Sequence, residues 1–171
     1  MRGCEHEQGD IMEAEQSKGH VVRSSTRFKE TIVRLHQCVG ALIVQHHTLL
    51  LGQRSPTRTF YPSVWDIFGG HIEPGEQPEQ TLVRELREEL GITPTQWMHV
   101  DTLKESIPER DEEVHYHVYL VLAWSGIPVN QQPDEHTMIA WFSLAQAVEL
   151  KLAHPAYPQL FARILGSAAP A

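Results

Sequence analysis

The sequence predicts a single domain of the α+β class or of the three-layer α/β/α class. Two observations lead to this prediction. The chain has 171 residues, a length that suits one domain rather than two. Segments with the apolar pattern of β-strands lie both before and after one well-marked helix, and no segment repeats along the chain. Such a mixed order is typical of domains in which helices cover a sheet.

The folded unit is expected to span residues 31–166. Residues 1–30 are polar, rich in Glu, Gln, Ser and Gly, and show no sustained periodicity. This composition predicts an extended or loosely attached arm, and a different start site between Met1 and Met12 would account for it equally well. Residues 167–171 are expected to form a C-terminal tail.

The first strands are marked by apolar runs at residues 39–45 and 48–52. Two histidines separate these runs, so the pattern predicts a strand–turn–strand pair. A loop marked by two prolines follows. Residues 64–68 predict a short strand that ends at a Gly-Gly pair.

The clearest helix begins at Pro78, a residue that suits a first helical turn, and ends before Gly91. Leucines recur at intervals of four and predict a stripe that faces the core, made of Leu82, Leu86 and Leu90. Pro94 is expected to block any continuation of the helix. Glu79 in the first turn complements the helix dipole.

The second half of the chain alternates in the same way. Residues 97–106 and 114–124 predict strands, and the second alternates between apolar and polar residues. A loop leads to a predicted strand at residues 138–142. Residues 144–150 and 158–165 predict helices.

Composition and charge narrow the class of protein. The net charge of −8 argues against a large nucleic acid as the main partner, because phosphate backbones need a basic surface. A small phosphorylated ligand stays compatible, since divalent cations bridge carboxylates to phosphates. Cys4 and Cys38 form neither a disulfide framework nor a ligand pattern, and no signal peptide or membrane span is evident. We therefore expect a cytoplasmic protein that does not bind membranes.

Three glutamates in the predicted helix carry the main functional signal. Glu85, Glu88 and Glu89 stand at i, i+3 and i+4, so their carboxylates share one helix face and repel each other. Clustered carboxylates suit a hard cation such as Mg²⁺ or Mn²⁺, and Gly70 could bring a backbone carbonyl beside them as a further ligand. For ELREE taken alone, a solvated acidic face is the commoner explanation.

The wider spacing changes this balance. Residues 70–92 resemble the box of the Nudix family, G-x5-E-x7-R-E-U-x-E-E-x-G-U with U an aliphatic residue, at every specified position. The matching residues are Gly70, Glu76, Arg84, Glu85, Leu86, Glu88, Glu89, Gly91 and Ile92. The required strand–loop–helix context is also predicted here. The chain departs from many members of the family at Phe68, where they carry a proline.

The resemblance implies the Nudix fold, an α/β/α sandwich around a mixed sheet. It implies that Glu85, Glu88 and Glu89 bind Mg²⁺, for which Mn²⁺ could substitute, and that one of them or a later glutamate acts as base. Arg84 would orient a glutamate through an ion pair with Glu76 or with a carboxylate of the box.

For the later glutamate we consider Glu112 and Glu113, although a charged loop before a strand explains them equally well. Glu113 also shares a predicted strand face with His115 and His117. A second metal site is conceivable there, and a polar sheet face is the commoner explanation. Glu135 and His136 are expected to belong to a plain loop.

The reaction implied is hydrolysis of a phosphoanhydride bond by metal-activated water. The substrate would be a nucleoside triphosphate or another small molecule linked to a nucleoside diphosphate. The protein could form a homodimer. Two alternatives remain. One is an enzyme like isopentenyl diphosphate isomerase with Cys38 as its cysteine. The other is a catalytically silent Nudix module that senses nucleotides.

Substrate contacts are sought in the basic and aromatic segment before the box. Arg54 and Arg58 could hold a phosphate, and Phe60, Tyr61 or Trp65 could stack on a base. For each aromatic residue taken singly, packing in the core is the more frequent role.

Overall fold

The computed structural model describes residues 33–166 and the backbone of residues 21–22. The predicted N-terminal arm and the predicted C-terminal tail lie outside the described residues, apart from that short piece of backbone. No helix of the described part is long and apolar enough to cross a bilayer.

A seven-stranded mixed sheet forms the centre of the domain. Its strands are β1 (Val21–Val22), β2 (Val33–Gln45), β3 (Thr48–Arg54), β4 (Trp65–Asp66), β5 (Thr93–Ile107), β6 (Glu112–Ser125) and β7 (His136–Ser143). The order is β4-β3-β2-β6-β5, with β1 beside β2 and β7 beside β3. β2 and β6 run parallel. The other strand pairs of the described part run antiparallel.

The predicted turn between the first two long strands is confirmed. Gln45 pairs with Thr48, so His46 and His47 are the two residues of the hairpin loop. Their φ angles are 48° and 58°, as a two-residue type I′ turn requires.

Several strands extend beyond their predicted limits. β2 begins at Val33, six residues before the apolar run. Its first part is largely polar and belongs to the strand because it pairs with β6. β5 begins at Thr93 and includes Pro94, the residue expected only to stop the helix. Proline is tolerated there because β5 is the last strand in the order and its register shifts after Pro94.

The helices are α1 (Pro78–Leu90), α2 (Leu144–Ala147) and α3 (Tyr157–Gly166). α1 matches its prediction, and its three leucines are fully buried. Gly91 ends it in the left-handed conformation with φ 68°. α2 is shorter than predicted, because a turn at residues 148–150 follows it.

The alternation of side chains along β2 builds two cores, one on each face of the sheet. Val39, Ala41 and Ile43 pack with the leucines of α1. Leu42 packs on the other face with Leu160 and further residues of α3. The domain is thus a three-layer α/β/α sandwich around a mixed sheet, which confirms the predicted fold class.

The segment between β4 and α1 is tied to the middle of the sheet. The backbone N–H of Ala41 donates to the carbonyl of Phe68 at 2.7 Å, and that of Val39 donates to the carbonyl of Gly70 at 2.9 Å. These two bonds hold the Gly-Gly pair between β2 and the carboxylates of α1.

Candidate active site

The three glutamates of α1 do not all point the same way. The side chains of Glu85 and Glu89 are 14% and 5% exposed, whereas that of Glu88 is 52% exposed. Residues four apart lie on one face of a helix, so Glu85 and Glu89 both turn towards the loop at residues 68–71. Glu88 stands at the outer rim.

The Gly-Gly pair allows the backbone to approach these carboxylates. The N–H of Gly69 donates to Glu89 Oε2 at 2.8 Å. A Cβ atom on Gly70 would lie 2.3 Å from Glu85 Oε1, and one on Gly69 would lie 2.1 Å from the carbonyl oxygen of Val39. Any larger residue would therefore displace the loop or the glutamate. The Gly70 carbonyl accepts one hydrogen bond from Val39, which leaves one lone pair for a further partner.

Arg84 links the carboxylates of the box. Its Nε and Nη2 donate to the two carboxylate oxygens of Glu76 at 2.9 and 3.0 Å. Its Nη1 donates to Glu85 Oε1 at 2.7 Å and lies 3.4 Å from Glu88 Oε2. A bond from Nη2 to the carbonyl of His71 ties the same guanidinium to the Gly-Gly loop. The hydrogen bonds that Glu76 accepts from Arg84, followed by the one from Thr81, lower the pKa of Glu76 to about 2.

The two inner carboxylates are electrostatically costly without a cation. Burial raises the pKa of Glu85, with Glu88 and Glu135 adding to the rise and Arg84 opposing it. Burial, followed by the charge of Glu85, raises the pKa of Glu89 well above its usual value. Two buried carboxylates with raised pKa values would be stabilised by a positive ion between them.

These residues fit a hard divalent cation, because carboxylate oxygens and a backbone carbonyl are the ligands that Mg²⁺ prefers. Within residues 33–166, no three His, Cys, Asp or Glu side chains already stand in the geometry of metal ligands. The nearest cation is instead Arg84, which holds Glu85. Binding an ion at Glu85 would therefore require this ion pair to be shared or loosened.

A cavity of about 380 Å³ opens beside Glu89 and the Gly-Gly pair. Its inner end is formed by Glu89 and the Gly-Gly pair, together with Glu135 and His136. Its walls come from β2, β5, β6 and the loop before β4. The size lies within the range of clefts that take small ligands.

The expectation of a loop is wrong for His136, whereas Glu135 lies in the turn before it. His136 begins β7 and is 3% exposed, with its Nδ1 3.7 Å from Glu89 Oε1 and without a hydrogen-bond partner among the described residues. Burial, followed by the charges of Arg54 and Arg58, lowers the pKa of His136 to about 4, so its ring is neutral.

Glu135 also lines the cavity, and its charge contributes to the raised pKa of both inner glutamates. Its carboxylate pairs with Arg58 at 3.3 Å. The available signal was a Glu-His pair directly before an apolar strand. Only the pairing of β7 with β3 brings that pair to the site.

The structure separates the two later glutamates considered from the sequence. Glu112 lines the cavity, with Oε1 3.7 Å from His36 Nε2. Glu113 lies on the opposite face of β6, where its Oε1 is 2.6 Å from His115 Nε2. His117 on that face bonds Gln37 at 2.7 Å, which makes it a polar sheet face rather than part of the cavity.

The expected substrate contacts are also divided. Arg54, Arg58 and Phe60 line the cavity. Arg54 is committed to the protein, because it pairs with Asp66 at 3.1 Å and donates to the carbonyls of Phe60 and Tyr61. Trp65 is absent from the cavity wall and packs edge-on against Phe142 at a ring distance of 4.8 Å, so the structure does not bring it together with the other predicted substrate contacts.

Comparison with known proteins agrees with this geometry. A family model described as the NUDIX domain matches residues 34–164. The chain is similar to the CTP pyrophosphohydrolase of Escherichia coli, with 34% identity over 128 residues that cover 75% of this chain and 90% of that protein. It is also similar to the 8-oxo-dGTP diphosphatase of Proteus vulgaris, with 35% identity over 93 residues that cover 54% and 80% of the two chains.

Solved structures show the same fold. The crystal structure of a MutT Nudix hydrolase from Burkholderia pseudomallei has a TM-score of 0.65 at 27% identity, covering 80% of this chain and 99% of that one. The solution structure of the Escherichia coli ORF135 protein has a TM-score of 0.66 at 32% identity, covering 81% and 96%. The chain belongs to the Nudix family and is a pyrophosphohydrolase, an enzyme that hydrolyses acid anhydrides.

Proposed function

We propose that this protein hydrolyses a phosphoanhydride bond of a nucleoside triphosphate with the help of Mg²⁺, for which Mn²⁺ can substitute. One observation carries the proposal. Glu85 and Glu89 hold two largely buried carboxylates with raised pKa values beside a Gly-Gly backbone that approaches both, and Glu89 and this backbone line a cavity. Such a pair suits a bound divalent cation and a polyphosphate better than an empty site.

Glu85 and Glu89 would hold the ion, with the Gly70 carbonyl and the rim carboxylate of Glu88 as further oxygen ligands. When bound, Mg²⁺ neutralises phosphate charge and lowers the pKa of a water molecule. The residues of the chain provide the positioning. Arg84 fixes Glu85, and the N–H of Gly69 fixes one oxygen of Glu89.

Hydrolysis also needs a group that takes the proton of the attacking water. Glu135 is suited to this role, because it lines the cavity together with Glu89 and its described ion pair is with Arg58 rather than with a residue of the box. Glu89 is the alternative base, since its raised pKa makes its carboxylate a better proton acceptor than an ordinary glutamate. Arg58 also lines the cavity and would place a positive charge near the negative charge that develops on the leaving phosphate.

The nucleoside triphosphate is favoured over other diphosphate compounds by the similarity to enzymes named for CTP and 8-oxo-dGTP. That similarity extends over most of the described domain. The cavity adds a basic and aromatic wall, with Arg58 and Arg110 beside Phe60 and Tyr61. The protein is proposed to act in the cytoplasm, where these small nucleotides are found.

An isomerase that uses Cys38 fits the structure less well. Cys38 lines the cavity, and burial raises the pKa of its thiol to about 12. The thiol is therefore neutral and has no described base to activate it. A silent sensor would have no use for carboxylates that destabilise the ligand-free site.

The test is a panel of nucleoside triphosphates, oxidised dGTP, ADP-ribose, NDP-sugars and coenzyme A, assayed for released phosphate or pyrophosphate with Mg²⁺ and with EDTA. We expect turnover of at least one triphosphate in the presence of Mg²⁺ and none in EDTA. Glu89→Gln should abolish it, whereas the exposed control Glu149→Gln should not. Ligand-induced thermal stabilisation without turnover of any compound would support the sensor instead.

A further inference from the structure

The end of the cavity far from the Gly-Gly pair has a chemistry of its own. Tyr61, Glu105, Ile107, Val114 and Tyr116 line it, and none of them belongs to the box. Glu105 pairs with Val114, which in turn neighbours His36 on β2. Glu105 thus lies two strand spacings, or roughly 10 Å, from β2, the strand to which the backbone of Gly70 is hydrogen-bonded.

The side chains that line this end suit a flat ring. Tyr61 and Tyr116 present aromatic surface, and Ile107 and Val114 present aliphatic surface. Aromatic side chains stack on any nucleobase because every base has a π-face. A nucleotide whose phosphates reach Glu89 would therefore extend its base towards Glu105.

The carboxylate of Glu105 is the polar group at this end that Tyr61 contacts, and Arg110 and Glu112 line the same cavity. The hydroxyl of Tyr61 donates to Glu105 Oε1, and Tyr61 is its only hydrogen-bond donor among the residues that the structure describes. Burial, with help from this bond, raises the pKa of Tyr61 to about 12, so the hydroxyl stays a donor. An ionised carboxylate only accepts hydrogen bonds, and its second oxygen still has this capacity.

Tyr61 is held in place by a network behind the cavity. Its φ is 51°, a left-handed value that is uncommon for a side-chain-bearing residue. Arg54 fixes this conformation by donating to the Tyr61 carbonyl at 3.2 Å and pairing with Asp66. Asp66 in turn accepts from the hydroxyl of the buried Tyr157 at 2.8 Å. The role of Arg54 is thus to position Tyr61, and through it Glu105.

We infer that Glu105, positioned by Tyr61, selects nucleotides whose base presents an amino group towards it, and rejects bases that present a carbonyl there. An amino group donates to the free oxygen of the carboxylate. A carbonyl at the same place would set two acceptors against each other. The inference rests on the proposed function, because it takes a nucleoside phosphate as the ligand.

Two matched nucleotide pairs test the inference, since each pair exchanges one exocyclic amino group for a carbonyl and adds a hydrogen to the neighbouring ring nitrogen. They are CTP against UTP and ATP against ITP, and the ring size that fits decides which pair responds. We expect kcat/KM to favour the amino member of at least one pair by about 10- to 100-fold, as for a hydrogen bond to a charged group. Equal kcat/KM values within both pairs would overturn the inference.

Glu105→Gln is the decisive variant, because an amide of the same shape both donates and accepts. The preference should fall to within about threefold, mainly through a better reaction with UTP or ITP. Tyr61→Phe keeps the Glu105 carboxylate but removes the hydrogen bond that positions it. This variant should keep part of the preference. Glu149→Gln is the surface control and should keep all of it. An unchanged preference in Glu105→Gln would refute the assignment.

A binding measurement separates this inference from the proposed function. Calorimetric titration of the wild-type protein with CTP, UTP, ATP and ITP reports selectivity without turnover. Selective binding that Glu105→Gln removes, without hydrolysis of any nucleotide, would support the base site and contradict the proposed function. Hydrolysis without selectivity, in binding or in rate, would support the function and contradict the base site.

Discussion

Glu89→Gln is expected to make the metal-free protein more stable while it removes activity. Glu89 is 5% exposed and shares one helix face with Glu85. Side chains at this spacing are about 6 Å apart, and two unit charges at that distance repel by about 3 kcal/mol at an effective dielectric constant of about 20. The ion pair of Glu85 with Arg84, at 2.7 Å, offsets part of this repulsion.

We take half of the repulsion, about 1.5 kcal/mol, as the gain in unfolding free energy, which corresponds to a rise in Tm of about 5 °C for a domain of this size. The glutamine still accepts the hydrogen bond from Gly69, so no buried donor loses its partner. Thermal unfolding followed by circular dichroism in EDTA measures the gain.

The gain should depend on pH. Because the pKa of Glu89 is raised in the folded protein, its carboxyl is protonated near pH 4, and wild type and variant should then unfold alike. As pH rises from the ordinary glutamate value through the raised value, the wild type loses the stability contributed by the protonated form. The variant does not, so the difference should be full at pH 8.5. A lower Tm for the variant at pH 8.5 in EDTA would refute this electrostatic account.

Three further variants test separate parts of the site. Arg84→Lys keeps the charge but loses the paired contacts to Glu76, and kcat should fall by about 10- to 100-fold through misplacement of Glu85; an unchanged kcat would show that the guanidinium geometry does not matter. His136→Leu should raise the Mg²⁺ concentration for half-maximal rate by about tenfold, with partial rescue in His136→Gln, because the polar ring of His136 lies beside Glu89 and contributes to the setting of its carboxylate. Trp65→Leu should lower the unfolding free energy by about 1–3 kcal/mol and leave KM nearly unchanged, whereas a raised KM at constant Tm would restore Trp65 to the substrate site.

Local features of the chain could be predicted because short-range physics determines them. The limits of α1 follow from a proline at the start, a leucine stripe and Gly91 at the end, and all of these are readable over a few residues. The same holds for the turn at His46 and His47, because only these two residues separate the two apolar runs.

Contacts between distant segments could not be predicted in this way. Glu135 and His136 reach Glu89 only because β7 pairs with β3, and no periodicity in the sequence specifies which strands become neighbours. Side-chain direction is a second limit. Spacing on α1 places Glu88 with its neighbours, yet it is half exposed at the rim, since the Gly-Gly loop packs against only one side of the helix.

The segment before the box shows a third limit. Its basic and aromatic composition suggested phosphate and base contacts, but composition does not tell which side chains face inward. Arg54 donates hydrogen bonds to backbone carbonyls and forms an ion pair with Asp66. Trp65 packs on Phe142 in the core that contains α3. Glu105, by contrast, belongs to no motif in the sequence. It lines the cavity because β5 pairs with β6.

The dependence of the hydrolysis rate on Mg²⁺ tests the central claim most directly. Initial rates of phosphate or pyrophosphate release from the best triphosphate of the panel are measured against Mg²⁺ concentration, for the wild type and for Glu89→Gln. We predict a saturable dependence, no rate in EDTA, recovery when Mg²⁺ is restored, and a loss of about 100-fold or more in the variant. A rate that survives EDTA, or a variant as active as the wild type, would contradict a metal-dependent site at Glu85 and Glu89.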